Sequence, residues 1–186
     1  MSTLLLALAL LTPASEPQQT TGLPERFTAF GISLGDGLTQ SGTGQIEIVI
    51  DRWSTPEEID RLFDAGEKGQ RALTDEMADL DAVGSIRTVQ SLALSLHYAV
   101  QEVDADGTRR IYLAMPRPIG YGEMVRGSRS VAYPITFVEL TVDPEGKGEG
   151  QLSIAARVTA SSDRSRLYVQ NYAMRPVLLK SVRKRN

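Results

Sequence analysis

Residues Ser91-Leu92-Ala93-Leu94-Ser95-Leu96-His97-Tyr98-Ala99-Val100 place a large apolar side chain at every second position. A period of two belongs to a β-strand with one buried face. It sets Leu92, Leu94, Leu96, Tyr98 and Val100 on one side and Ala93, Ser95, His97 and Ala99 on the other. The same rhythm recurs from Ile46 to Val182 and yields to helical spacing in one segment only. The chain therefore reads as mainly β.

Upstream of this stretch, Gln45 to about Trp53 alternates in the same way, with Ile46, Ile48 and Ile50 on one face and Gln45, Glu47, Val49 and Asp51 on the other. That strand stops at a helix start: Thr55 as N-cap, Pro56 at the first helical position and Glu58 placed to close a capping box. Ile59, Leu62 and Phe63 share one helical face up to Gly66, and Leu73, Met77 and Leu80 mark a second short helix. Residues 55–81 are thus a helical insertion in a β domain. Nine acids against three bases between Ser54 and Ala82 repel phosphate, which excludes a DNA-reading pair of helices.

Downstream, Asp104-Ala105-Asp106-Gly107 joins a strand ending near Val103 to one covering Arg110 to Met115. Its glycine stands at the wrong offset for a calcium loop, so the segment reads as a hairpin turn. Runs over Pro134–Val142 and Gln151–Val158 flank a polar loop, Asp143–Gly150. The runs Leu167–Met174 and Val177–Val182 are divided by Arg175-Pro176. Gly35-Asp36-Gly37 and Gly42-Thr43-Gly44 mark a flexible connection near the amino terminus. About seven or eight strands in sequential hairpins, with the helices confined to one insertion, predict an antiparallel sandwich or an up-and-down barrel.

The 186 residues suit one domain. Residues 1–14 read as a signal peptide, 15–25 as a polar spacer, 26–183 as the β-rich domain and 184–186 as a basic tail. The apolar run Leu4–Leu11 is far shorter than the about 20 residues a membrane-spanning helix needs, and Thr12-Pro13-Ala14 supplies a cleavage site. No Lys or Arg precedes it, and the alternative is a buried amino-terminal helix or strand. A secreted or periplasmic protein without a transmembrane span in its mature chain is expected. The net charge of -3 argues against nucleic acid as a partner, and the basic cluster Lys180, Arg183, Lys184 and Arg185 reads as a solvated tail in preference to a contact for nucleic acid or anionic lipid. The absence of cysteine excludes disulfides, thiolate metal sites, a cysteine nucleophile and a lipoprotein anchor. With His97 as the single histidine, no metal and no cofactor are expected.

Several short motifs occur in a fixed order: Arg52-Trp53-Ser54-Thr55 before an acidic helix, Arg117-Pro118-Ile119, Tyr133-Pro134 leading to Val138-Glu139-Leu140, Gly146-Lys147-Gly148-Glu149-Gly150, and Asn171-Tyr172 before Pro176-Val177. In that order the chain after Gly44 resembles a group of uncharacterised secreted bacterial proteins. The resemblance implies export and a single domain, and it carries no activity, ligand or catalytic residue.

Three places offer chemistry. Gly31-Ile32-Ser33-Leu34-Gly35 matches the nucleophile elbow of α/β-hydrolases, with His97 as the available base and Asp51 or Asp106 to orient it. The glycine-rich stretch that follows opposes the helix this elbow requires. Glu139, with Glu47 or Asp51, offers a carboxylate pair for glycoside hydrolysis. The segment 117–130 brings Tyr121, Arg126 and Arg129 to a long connection suited to an anionic group or a partner protein. The preferred reading is a non-catalytic domain that binds a small molecule or a protein. The alternatives are a hydrolase built on Ser33 and His97 or on a carboxylate pair including Glu139, and a structural component of the cell envelope.

Overall fold

The alternating runs fold as antiparallel strands, and a computed structural model describes residues 22–35, 41–88, 92–116 and 133–185. In chain order these are β1 (Glu25–Ser33), β2 (Gly42–Ile50), α1 (Pro56–Glu67), α2 (Gln70–Asp79), β3 (Gly84–Thr88), β4 (Leu94–Leu96), β5 (Tyr98–Val103), β6 (Arg109–Met115), β7 (Ile135–Val142), β8 (Lys147–Ala160), β9 (Leu167–Tyr172) and β10 (Val177–Arg185). Nine strands follow one another as β4-β3-β2-β1-β10-β8-β7-β6-β5, and β9 pairs with β8 off this path. The path's two ends, β4 and β5, are consecutive in the chain with His97 alone between them. The sheet is therefore a nearly closed barrel, made of two meanders, β1–β4 and β5–β8, that β10 joins.

This seam explains why Ser91–Val100 departs from the single continuous strand its pattern predicts. At His97 the backbone passes from pairing with β3 to pairing with β6: the Leu96 carbonyl accepts from Val83 N at 2.8 Å, and His97 N donates to the Ala114 carbonyl at 2.9 Å. Alternation is lost there, so Tyr98, Ala99 and Val100 are all buried, whereas Leu92 is 87% exposed. Residues 89–91 lie outside the described ones.

Two cores occupy the two faces of the sheet. Inside the barrel pack Phe27, Ile46, Ile48, Ile50, Ile86, Leu96, Ile111, Leu113, Val138, Leu140 and Leu179. On the outer face of β5–β9, Tyr98, Tyr112, Ile135, Phe137, Val158 and Leu167 pack beneath Leu62 and Phe63 of α1 and Leu73 and Met77 of α2. Strands β6 and β7 are therefore apolar on both faces along much of their length, as strands covered on two sides must be. Burial pushes the Tyr98 phenol well above its ordinary value, and the neutral hydroxyl accepts from Leu167 N at 2.8 Å, tying down the start of β9.

The insertion is rooted by the motif Arg52-Trp53-Ser54-Thr55. Ser54 N donates to the Ala99 carbonyl at 2.9 Å and Ser54 Oγ accepts from Ala99 N at 3.0 Å, so a buried serine joins the chain to β5. Thr55 caps α1 as expected: its Oγ1 accepts from Glu58 N at 3.3 Å, and Glu58 Oε2 accepts from Thr55 N at 2.9 Å. Arg52 grips both Glu58 oxygens at 2.8 Å and holds that carboxyl below its ordinary value. Thr55→Ala should cost about 1 kcal/mol in a urea melt. The contribution of Glu58 is full above its ordinary pKa of 4.5 and is lost as the pH falls through the lower folded value. Gln70 at the start of α2 accepts from Val158 N at 3.0 Å and donates to the Val158 carbonyl, completing the ladder where β8 and β9 slip register.

Five expectations change. The eight-residue polar loop between β7 and β8 is a tight turn, Gly146 N donating to the Asp143 carbonyl at 2.9 Å, and β8 begins at Lys147. The last two runs do not pair with each other, because β9 joins β8 while β10 lies between β1 and β8. Glu25 begins β1 rather than ending a spacer, and Lys184 and Arg185 sit in β10 opposite Phe27 and Arg26 rather than in a solvated tail. Thr43 and Gly44 lie in β2, paired with Ile32 and Gly31. Except for the last two runs, which were expected as strands, a partner strand satisfies the backbone of residues whose polarity or glycine content suggests a loop.

Candidate functional site

Inward-facing side chains at one end of the barrel change from apolar to charged. Glu25 precedes Phe27 on β1, Arg109 precedes Ile111 on β6 and Lys184 follows Val182 on β10, so each continues an interior row to the rim. Arg109 donates to Glu25 Oε2 and Oε1 at 3.0 and 3.1 Å and to Gln101 Oε1 at 2.6 Å, and Lys184 Nζ lies 3.5 Å from Glu25. The Arg109 guanidinium also stands 5.9 Å from the centre of the buried Trp53 ring. A two-pronged ion pair over an indole closes this end, and its carboxylate has its acceptor positions used by protein donors. It is a plug rather than a binding site.

The outer face of β6, β7, β8 and β10 carries a groove of about 440 Å³. Register places its side chains in two rows. Tyr112, Glu139, Gln151 and Leu178 are successive cross-strand neighbours, and Arg110, Thr141 and Glu149 lie beside them with Lys180. Gln151 donates to Glu139 and Lys180 to Glu149. Tyr112 forms one wall: its hydroxyl donates to Glu102 Oε2 at 3.2 Å and the Arg166 guanidinium covers its ring at 5.1 Å. Burial first, and then the Glu102 charge, raise the Tyr112 phenol, so it remains a neutral donor. Arg166 in turn binds Glu102 at 2.5 Å, and Arg110 binds Asp104 at 2.7 Å. The groove offers donors and acceptors of both charges on a rigid sheet, and it is open to solvent.

The residues with expected roles are dispersed. Ser33 is the last residue of β1 and pairs with Gly42 of β2, so it ends a strand of an antiparallel pair, and residues 36–40 of the expected elbow context lie outside the described ones. His97 lies at the seam, level with Leu96, Gly84, Ile50 and Glu25 through successive pairings. Ser33 stands eight residues further along β1, about 26 Å in the strand direction. No shift of a side chain brings the two together. His97 Nδ1–H donates to the Leu80 carbonyl at 2.8 Å, fixing the end of α2 to the seam. Asp106 accepts from Thr108 N at 2.9 Å within the β5–β6 turn.

Of the acids, Glu139 lines the groove. Glu47 belongs to β2, four strands round the barrel or about 19 Å along the sheet, where it binds Arg26 and Arg87. Asp51 lies past the end of β2. The carboxylate that shares the groove with Glu139 is Glu149, which the sequence reading placed in a loop. Each of the two accepts from a nitrogen donor, Glu139 from Gln151 and Glu149 from Lys180. Tyr121, Arg126 and Arg129 lie outside the described residues. No cluster of three or more metal-ligating side chains occurs among the described residues, and no described helix is long and apolar enough to cross a membrane.

Comparison with known proteins finds no family model, no curated protein and no solved structure that matches this chain.

Proposed function

We propose that this protein is a non-catalytic, extracytoplasmic binding domain whose ligand seat is the groove across β6, β7, β8 and β10. One observation carries the reading: Arg110, Glu139, Gln151, Glu149 and Lys180 line up on a single sheet face along a solvent-open groove of about 440 Å³. The barrel interior, by contrast, is packed with apolar side chains and closed at one end by Glu25 and Arg109. Paired charges of both signs suit a polar or zwitterionic small molecule, or a short extended peptide, that replaces Gln151 on Glu139 and Lys180 on Glu149. The amino-terminal pattern supports export.

Equilibrium dialysis of the full chain against a small-molecule extract of its host tests this reading. The expected result is one retained compound that is lost from the Arg110→Ala/Glu139→Ala variant while that variant keeps its melting temperature. Retention that is unaffected by the two substitutions overturns it. A fluorophosphonate probe should leave Ser33 unlabelled in the folded protein; labelling would restore the hydrolase reading.

A further inference from the structure

On the side of the barrel away from the helices, the outward positions of β1, β2, β3, β10 and the first half of β8 carry six bases and two acids. The bases are Arg26, Arg87, Lys147, Lys180, Arg183 and Arg185; the acids are Glu47 and Glu149. The whole chain has a net charge of -3, so this face opposes the protein's overall sign. Glu47 is taken by Arg26 and Arg87, and Glu149 by Lys180.

Arg185 donates to Thr28 Oγ1 at 3.1 Å. Arg183 stands directly opposite Lys147 across the β10–β8 ladder, and Arg185 directly opposite Arg26 across β10–β1. Like charges directly opposite in antiparallel strands destabilise the sheet. Glu47 offsets the charge of Arg26, so the cost falls on the Arg183–Lys147 pair, and an anion lying over it removes that cost.

The apolar neighbours indicate what kind of anion. On the same outward face Phe30 pairs with Lys180 and is 46% exposed, and Ile32 pairs with Leu178, which is 37% exposed. A soluble polyanion satisfies the bases and leaves Phe30 and Leu178 in water. A bilayer surface with anionic headgroups satisfies both, taking apolar side chains at its acyl boundary and bases at its phosphates. The acidic helices cover the outer face of β5–β9, so the same charge distribution that draws this face to an anionic surface turns α1 and α2 away from it.

We propose that the outer face of β1 and β10 docks the protein on an anionic lipid bilayer. Vesicle co-sedimentation of the full chain, with phosphatidylcholine alone and with about one third phosphatidylglycerol, tests this. The readout is the difference between the two lipids, because the run Leu4–Leu11 has no charged side chain to distinguish them. Binding should appear with phosphatidylglycerol and fall as salt rises. It should weaken about fivefold for each base neutralised, hence about 25-fold in Arg183→Gln/Arg185→Gln. Arg71→Gln, on the exposed surface of α2, should leave it unchanged.

Lys147→Glu separates docking from damage, because it turns a like-charge pair into an ion pair: it should raise the melting temperature while weakening the vesicles' hold. Equal binding to both lipids, or undiminished binding by Arg183→Gln/Arg185→Gln, overturns the proposal. So does binding to soluble polyphosphate with none to vesicles. Lys180 and Leu178 belong to both surfaces, whereas Arg183 and Arg185 lie outside the groove, so their double variant tests the docking face alone.

Discussion

Arg109→Leu should lower the unfolding free energy by about 3 kcal/mol in urea melts, making it one of the two most damaging single changes considered. Glu25 is 4% exposed, and Arg109 supplies two of its hydrogen bonds; without the guanidinium a carboxylate is left in the barrel end with Lys184 alone at 3.5 Å. Removing one member of a buried ion pair typically costs about 3–5 kcal/mol, and the remaining lysine keeps the loss at the lower end. The companion result distinguishes this mechanism from simple loss of packing. Glu25→Leu/Arg109→Leu should recover most of the stability, because with both charges gone there is no desolvation to offset. A double variant as unstable as the single one would show that shape rather than charge closes the barrel.

Gly148→Val should be at least as damaging, at about 3 kcal/mol or more, or should fail to fold. A Cβ at Gly148 would lie 1.8 Å from the Thr141 carbonyl oxygen and 2.8 Å from its carbon. These are backbone atoms of the paired strand, so no rotamer relieves the clash and β7 and β8 must part. Gly150 meets the Glu139 carbonyl oxygen in the same way, at 2.2 Å. The control is Gly42→Ala on β2, where nothing lies within 4 Å of the added atom, and its melt should match the parent within about 0.5 kcal/mol.

These glycines also show where sequence reading stops. Gly146-Lys147-Gly148-Glu149-Gly150 has the composition of a loop, and glycine ordinarily signals one. Here Gly148 and Gly150 stand in a strand because the neighbouring backbone approaches too closely for any side chain. That requirement belongs to tertiary structure and leaves no local trace. The capping box at Thr55 and Glu58, by contrast, was legible because its partners lie within one helical turn. So was the β6 strand, whose apolar run is continuous because it is buried on both faces.

The closure of the barrel was hidden in the most regular stretch of all. Period two assigns Leu92 to Val100 to one strand, and nothing local announces that the backbone changes partners at His97. The groove was half legible. Glu139 stood out as an acid within an apolar run, whereas Arg110, Gln151 and Lys180 join it only through the pairing of β6, β7, β8 and β10. The pairing of the basic residues was hidden for a related reason, although Arg183 and Arg185 are exposed as expected. Lys180, Arg183 and Arg185 end the chain, where charged residues are ordinarily solvated, yet β10 is held between β1 and β8.

The proposed ligand is held outside the barrel rather than within it. Native mass spectrometry of the chain purified gently from its own host, beside Glu139→Lys and Leu113→Ala, tests that most directly. Glu139→Lys reverses a charge in the groove, and Leu113→Ala enlarges the interior without touching the outer face. A discrete added mass on the parent and on Leu113→Ala, absent from Glu139→Lys, is the predicted result. A mass that survives Glu139→Lys and is lost from Leu113→Ala, or no added mass on any of the three, would contradict it.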